Sequence, residues 1–210
     1  MSPLRIAGLA SHRGTNLRHL HEACRSGSLD AELVLLVSNN GDAAILSYAE
    51  SQGIAGRHLS GRTHPNPGDL DAAILAALRQ AGADLVFLSG YMKMLGPRTV
   101  QAYRNRVLNI HPALLPAYGG KGMYGERVYE AVLAAGERET GATLHLVDEE
   151  YDHGPVVAQD RVAVEPGDTV ETLRARVMEC ERRLTLSSVA RLAAGELDLD
   201  AIAREALVGK

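Results

Sequence analysis

Four short, nearly continuous apolar runs, each followed by a turn cluster and then a helix-like repeat, constrain this chain more than any other feature. The runs occupy residues 4–10, 33–37, 84–88 and 106–110, with a weaker one at 54–59. Helix-like periodicity fills the intervals at 15–25, 43–52, 69–81 and 97–103. Strands that are apolar along their whole length, rather than at every second residue, are buried on both faces. With helices in between, they predict an α/β fold built on a mostly parallel sheet. Ligands of such sheets sit beyond the carboxyl ends of the strands. The segments to watch are therefore residues 11–16, 89–92 and 109–112. The second half changes character. A helix is expected over 124–135, then strands over 143–147 and 156–164 joined by an acidic loop. A long helix follows to residue 194, opened by Asp168 as cap and Glu171 three residues on. No repeat or linker divides the chain, so one domain is expected, with halves 1–110 and 111–196 and a helical extension over 197–210.

Composition narrows the function. Lys and Arg total 22 against 26 Asp and Glu, a net charge of −4, where a duplex-binding protein needs a basic excess. With no Trp and one Phe there is little on which to stack bases. No apolar run approaches the roughly 20 residues that span a bilayer, and residues 1–10, with Arg5 in their middle, do not read as a signal peptide. Two cysteines, Cys24 and Cys180, suit reduced thiols rather than a disulfide framework. A cytoplasmic chain with no nucleic-acid or membrane partner is expected, as a monomer or homodimer.

Five segments carry candidate chemistry. Gly14, Thr15 and Asn16 stand between the first strand and helix, where free amides hold an anion; the plain alternative is a turn capped by Thr15 or Asn16. Asn109 and His111 share one face of a strand at its carboxyl end, an amide donor beside an imidazole; the alternative is a satisfied histidine in a proline-bounded turn. Residues 148–155 bring Asp148, Glu149, Glu150 and Asp152 together with Tyr151 and His153. A solvated hairpin is the ordinary reading, and a carboxylate that raises an imidazole pKa is the functional one. A metal site from His111, His145, Asp152 and His153 lacks the expected ligand spacing, so no metal is expected. Residues 119–125 lack the Ser or Thr of a phosphate loop and read as a mobile lid or a plain surface loop. Glu181, on the apolar stripe of the long helix, either pairs with an arginine such as Arg174 or faces a ligand.

Taken in order, Ser11-x-x-Gly14-Thr15-Asn16-Leu17, Gly90-Tyr91-Met92-Lys93-Met94-Leu95, Leu108-Asn109-Ile110-His111-Pro112-x-Leu114-Leu115-Pro116, Gly141-x-Thr143-x-His145 and Asp152-x-Gly154-Pro155 resemble the folate-dependent formyltransferases, in particular their glycinamide ribonucleotide transformylase branch. The resemblance runs to about Glu196. It implies a Rossmann-like three-layer sandwich with an antiparallel strand in its C-terminal part, forming a single formyltransferase domain. It implies formyl transfer from 10-formyltetrahydrofolate to the amine of glycinamide ribonucleotide in purine synthesis. Carried over, Asn109 holds the formyl oxygen and His111, protonated and held by Asp152, stabilises the oxyanion. Gly14, Thr15 and Asn16 take the substrate phosphate and Glu181 the sugar hydroxyls. Met92, Lys93, Met94, Leu95, Val100, Asn109 and residues Asp148, Glu149, Glu150 and Tyr151 hold the folate. His12 and His153 depart from glycines usual in the family, and Pro67 stands where many members have an arginine near the folate tail. The rivals are a formyltetrahydrofolate deformylase, a sugar-amine formyltransferase and, in a different class, a non-catalytic folate or nucleotide sensor. Methionyl-tRNA formyltransferase is disfavoured by the acidic balance.

Overall fold

The computed structural model describes residues 2–208; Met1, Gly209 and Lys210, the last two part of the expected C-terminal extension, lie outside the described residues. The chain forms two compact units, one up to Leu108 and one from Asn109 onward.

In the first unit β1 (Leu4–Leu9), β2 (Ala31–Ser38), β3 (Ala55–His58) and β4 (Leu85–Ser89) alternate with α1 (Thr15–Arg25), α2 (Ala44–Gln52), α3 (Pro67–Gln80) and α4 (Pro97–Ala102). β1 pairs β2 and β4 in parallel, lying between them, and β3 pairs the far side of β2, also in parallel. The apolar runs behave as expected of strands covered on both faces, with Ile6, Leu9, Leu36, Val37, Val86 and Phe87 fully buried. β5 (Val107–His111) begins here, the Val86 N–H donating to the Arg106 carbonyl at 2.8 Å.

A buried carboxylate ties α3 to α4. Asp71, 4% exposed, accepts from the backbone N–H of Arg98 (2.9 Å) and Thr99 (3.1 Å) and from the Thr99 hydroxyl (2.6 Å). The α4 N-cap, Gly96, has no side chain to cap the helix, so Asp71 satisfies its orphan donors from another element.

The second unit contains α5 (Glu126–Ala134), β6 (Glu139–Leu146), β7 (Val156–Ala163), α6 (Val170–Ala193) and α7 (Leu199–Val208). β6 and β7 pair antiparallel from Glu139 opposite Ala163 to His145 opposite Val156. The expected change from parallel to antiparallel pairing in the C-terminal part is therefore present. Two details differ from expectation. β6 starts four residues earlier than its apolar run. The capping box of α6 is Thr169 with Thr172, one residue later than Asp168 with Glu171: each threonine hydroxyl accepts from the other's backbone N–H. Asp168 is drawn away by Arg176, which grips both its carboxylate oxygens at 2.8 and 3.0 Å. That grip holds the Asp168 carboxyl well below the usual carboxylate range.

Burial pushes the Cys24 thiol up to about 11 and the Cys180 thiol up to about 12. Neither is a nucleophile at neutral pH. Among the described residues no helix is long and apolar enough to cross a membrane.

Asp71→Ala leaves the α4 donors unpaired in a buried setting and is expected to destabilise the protein by about 1–3 kcal/mol, with Asp71→Asn recovering part of the loss. Urea denaturation measures it, and an unchanged midpoint in the alanine variant contradicts the bracing role.

Candidate active site

Three side chains named from the sequence converge in the second unit. Asn109 and His111, two residues apart on β5, emerge on the same face, and the β6–β7 loop brings Asp152 to them. The Asn109 amide nitrogen lies 3.4 Å from Asp152 Oδ1, and His111 Nδ1 lies 3.5 Å from Asp152 Oδ2. His145, from β6, completes the group, its Nε2 2.9 Å from Asn109 Nδ2 and 3.5 Å from Asp152 Oδ1. The side chains of His111, His145 and Asp152 are only 5%, 2% and 12% exposed.

The hydrogen-bond partners fix which ring nitrogens donate. His145 Nδ1 faces the Leu146 carbonyl at 2.9 Å and must donate to it, which leaves Nε2 to accept from Asn109. His111 Nε2 likewise faces a carbonyl, that of Tyr118, at 2.8 Å, and donates to it. Its other nitrogen, Nδ1, points at Asp152. At 3.5 Å this is an ion-pair distance rather than a strong hydrogen bond.

The charge on His111 differs from expectation. Asp152 and the Tyr118 carbonyl do favour the imidazolium. Burial opposes it more strongly, and the net effect lowers the His111 pKa below its ordinary value. The resting imidazole is thus neutral at neutral pH, with an Nδ1 lone pair turned toward a carboxylate. For Asp152, burial pushes the pKa up; His145 and His111, through their protonated forms, and the Gly120 N–H pull it down, and the carboxyl stays below its usual range. The Gly120 N–H donates to Asp152 Oδ2 at 2.9 Å. Asp152 itself has φ 54°, a left-handed conformation that Asp tolerates better than most residues.

Thr143 steadies the turn between them. Buried on β6, its hydroxyl donates to the Ala113 carbonyl at 2.6 Å and accepts from the Leu115 N–H at 3.0 Å. The rest of the β6–β7 loop is more open. Asp148 accepts from the Glu150 N–H and pairs with His153 at 2.8 Å, while Tyr151 is exposed. Among the described residues no group of three or more His, Cys, Asp or Glu is arranged to hold a metal ion. Glu181 is half-buried on α6 between the buried Val177 and Leu184, and its charge acts on the buried Tyr129 phenol. Arg174, considered as its partner, donates to Glu126 at 3.1 Å.

In the first unit the loops after β1, β2 and β4 are knotted at Ser11. Its hydroxyl donates to Asn39 Oδ1 at 2.6 Å and accepts from the Met92 N–H at 2.8 Å. Its backbone N–H donates to Gly90, and its carbonyl accepts from Asn40 Nδ2 at 2.6 Å. Gly14, not Thr15 or Asn16, is the N-cap of α1, at φ 57°. A Cβ there would come within 2.7 Å of the Ile45 side-chain tip, and the left-handed backbone favours glycine. No side chain caps the helix, and its first turn carries no acid, as an anion site at a helix start requires. Thr15 is half-buried and Asn16 buried. Met92 and Met94 are exposed, Leu95 is buried, Lys93 is exposed and Val100 is half-buried on α4.

The comparisons fit this layout. Residues 4–189 match the family model described as Formyl transferase, and the chain belongs to that family. It is similar to the chloroplastic phosphoribosylglycinamide formyltransferase of Arabidopsis thaliana, 43% identical over 186 residues that cover 88% of this chain and 64% of that protein. It therefore spans less than two thirds of that relative's length. It is also similar to the phosphoribosylglycinamide formyltransferase of Haemophilus influenzae, 37% identical over 86% of this chain and 82% of that protein. Among solved structures, glycinamide ribonucleotide transformylase 1 from Symbiobacterium toebii matches with a TM-score of 0.85 at 36% identity, covering 92% of this chain and 89% of that one. The Rossmann-like fold expected from the sequence is the fold of these neighbours.

A titration of the His111 ring by NMR is expected to give a midpoint below 6.5, and Asp152→Asn to lower it further by removing the charge that favours the cation. The sign follows for stability. Between 6.5 and the folded midpoint the unfolded chain binds the proton more readily, so this group's contribution is full above 6.5 and is lost as pH falls toward the folded midpoint. A midpoint above 6.5 contradicts the neutral resting state.

Proposed function

We propose that the chain transfers a formyl group from 10-formyltetrahydrofolate to the amine of glycinamide ribonucleotide, as a phosphoribosylglycinamide formyltransferase of purine synthesis. The observation that carries the reading is the convergence of Asn109, His111 and Asp152, within 3.5 Å of one another along the chain of contacts through Asp152. A sensor needs pocket shape but no such relay.

The chemistry follows from the hydrogen bonds. The neutral amine attacks the formyl carbon, and negative charge develops on the formyl oxygen. Asn109 supplies an N–H for it, exchanging its weak 3.4 Å contact to Asp152 for the oxyanion while keeping the 2.9 Å bond to His145. The proton lost by the amine passes to His111 Nδ1. The imidazolium then forms beside Asp152 at the moment the oxyanion needs a positive neighbour. When the bond from the formyl carbon to the folate nitrogen breaks, that proton is available to the leaving nitrogen. The neutral resting His111 is thus a proton acceptor first and an oxyanion stabiliser second.

The remaining assignments belong to this proposal. Gly14, Thr15 and Asn16 hold the phosphate and Glu181 the sugar hydroxyls. Met92, Lys93, Met94, Leu95, Val100, Asn109, Asp148, Glu149, Glu150 and Tyr151 hold the folate. The chain acts as one formyltransferase domain in the cytoplasm, with no metal, membrane or nucleic-acid partner, as a monomer or homodimer.

Incubation with both substrates is expected to yield formylated glycinamide ribonucleotide without free formate. Formate release in the absence of acceptor favours the deformylase, and binding without turnover the sensor. Asp152→Asn and Asn109→Ala are each expected to lower kcat by about 10²-fold or more with the fold intact by circular dichroism; a rate within a few-fold of the parent protein rejects the assigned roles. The rate is expected to fall toward acid pH, as His111 and the amine take up protons and lose their acceptor and nucleophile roles. A rate flat to pH 5 contradicts the scheme.

A further inference from the structure

The turn after Leu115–Pro116 holds both catalytic groups by its backbone. The Tyr118 carbonyl accepts from His111 Nε2 at 2.8 Å, and two residues on the Gly120 N–H donates to Asp152 at 2.9 Å. Both bonds depend on the path of residues 118–120, and that path is strained: Tyr118 has φ 57°, a left-handed conformation that a bulky residue adopts at a cost of about 1 kcal/mol or more. Something must hold it. The Tyr118 phenol donates to Glu137 Oε1 at 2.7 Å, tying the turn to the segment that leads into β6, the strand carrying Thr143 and His145. We propose that Tyr118 and Glu137 form a clamp that positions the catalytic pair: the phenol–carboxylate bond locks the left-handed turn, and the turn presents one carbonyl to His111 and one N–H to Asp152. Neither side chain touches the reacting atoms. Both are positioning residues.

The clamp has a consequence for proton handling. His111 faces three groups: the Asp152 carboxylate from the β6–β7 loop, the His145 ring from β6 and the Tyr118 carbonyl. The carbonyl favours the protonated ring and fixes which nitrogen is free to receive the substrate proton. A turn released from Glu137 relaxes toward negative φ and swings that carbonyl away, so Nε2 loses its acceptor and Nδ1 its unique role.

The kinetic part of this inference rests on the formyl-transfer reading; the titration part does not. Tyr118→Phe and Glu137→Ala are each expected to lower the His111 NMR midpoint by roughly 0.3–1 pH unit and kcat by about threefold to tenfold, the worth of one hydrogen bond. KM for both substrates stays within about twofold of the parent value, since neither residue touches a ligand. Glu137→Gln keeps the acceptor while removing the charge, and is expected to restore most of both values, which separates the clamp from a field effect of Glu137 on the ring. A merely structural role lowers the melting temperature in Tyr118→Phe and Glu137→Ala without moving the His111 titration. That result, or a midpoint and kcat unmoved in both variants, overturns the proposal. If the parent chain forms no formylated product, the formyl-transfer reading fails, and the His111 midpoints still decide whether the clamp exists.

Discussion

One carboxylate that is largely out of water organises the second unit. Asp152 stays ionised, its carboxyl held below the usual range: the Gly120 N–H donates to it at 2.9 Å, the Asn109 amide lies 3.4 Å away, and the two rings beside it favour the carboxylate when they carry a proton. Remove that set and burial, at 12% exposure, pushes its pKa upward. The β6–β7 loop must present it with φ at 54°, so backbone shape and charge are settled together. From this follow the orientation of the Asn109 amide and the direction in which His111 Nδ1 points.

The two histidines divide the work through the same device. Each ring gives one N–H to a backbone carbonyl, Leu146 for His145 and Tyr118 for His111. A carbonyl only accepts, so each bond dictates the tautomer and frees the opposite nitrogen. In His145 the free nitrogen orients Asn109. In His111 it waits opposite Asp152. The first unit builds its own focus by comparable means, with Ser11 joining the loops after three strands and Gly14 opening α1 without a side-chain cap.

Much of this was legible in the residues, because side-chain identity carries it. The apolar runs mark four of the seven strands among the described residues, and the two-residue spacing of Asn109 and His111 puts both on one face. What stayed hidden was carried by backbone or by burial. The Tyr118 carbonyl and the Gly120 N–H have no signature in a sequence. The charge of His111 depends on how deeply it is buried, which spacing does not tell, so a carboxylate neighbour suggested a cation where desolvation prevails. Asp168 has the identity of a helix cap, but Arg176, eight residues on, occupies its carboxylate. The start of β6 has no apolar signature, because Glu139, Thr140 and Gly141 are not apolar; a Cβ at Gly141 would strike the Asp160 carbonyl across the hairpin, so the pairing itself demands the glycine.

The central claim is that Asp152 and His111 act as one proton-handling unit, and a double-mutant cycle on kcat tests it most directly. Asp152→Asn, His111→Asn and the pair together are measured under single-turnover conditions. A shared role predicts a double variant no slower than the worse single one, within a few-fold. Losses that multiply across the two positions would show two independent contributions and contradict the account.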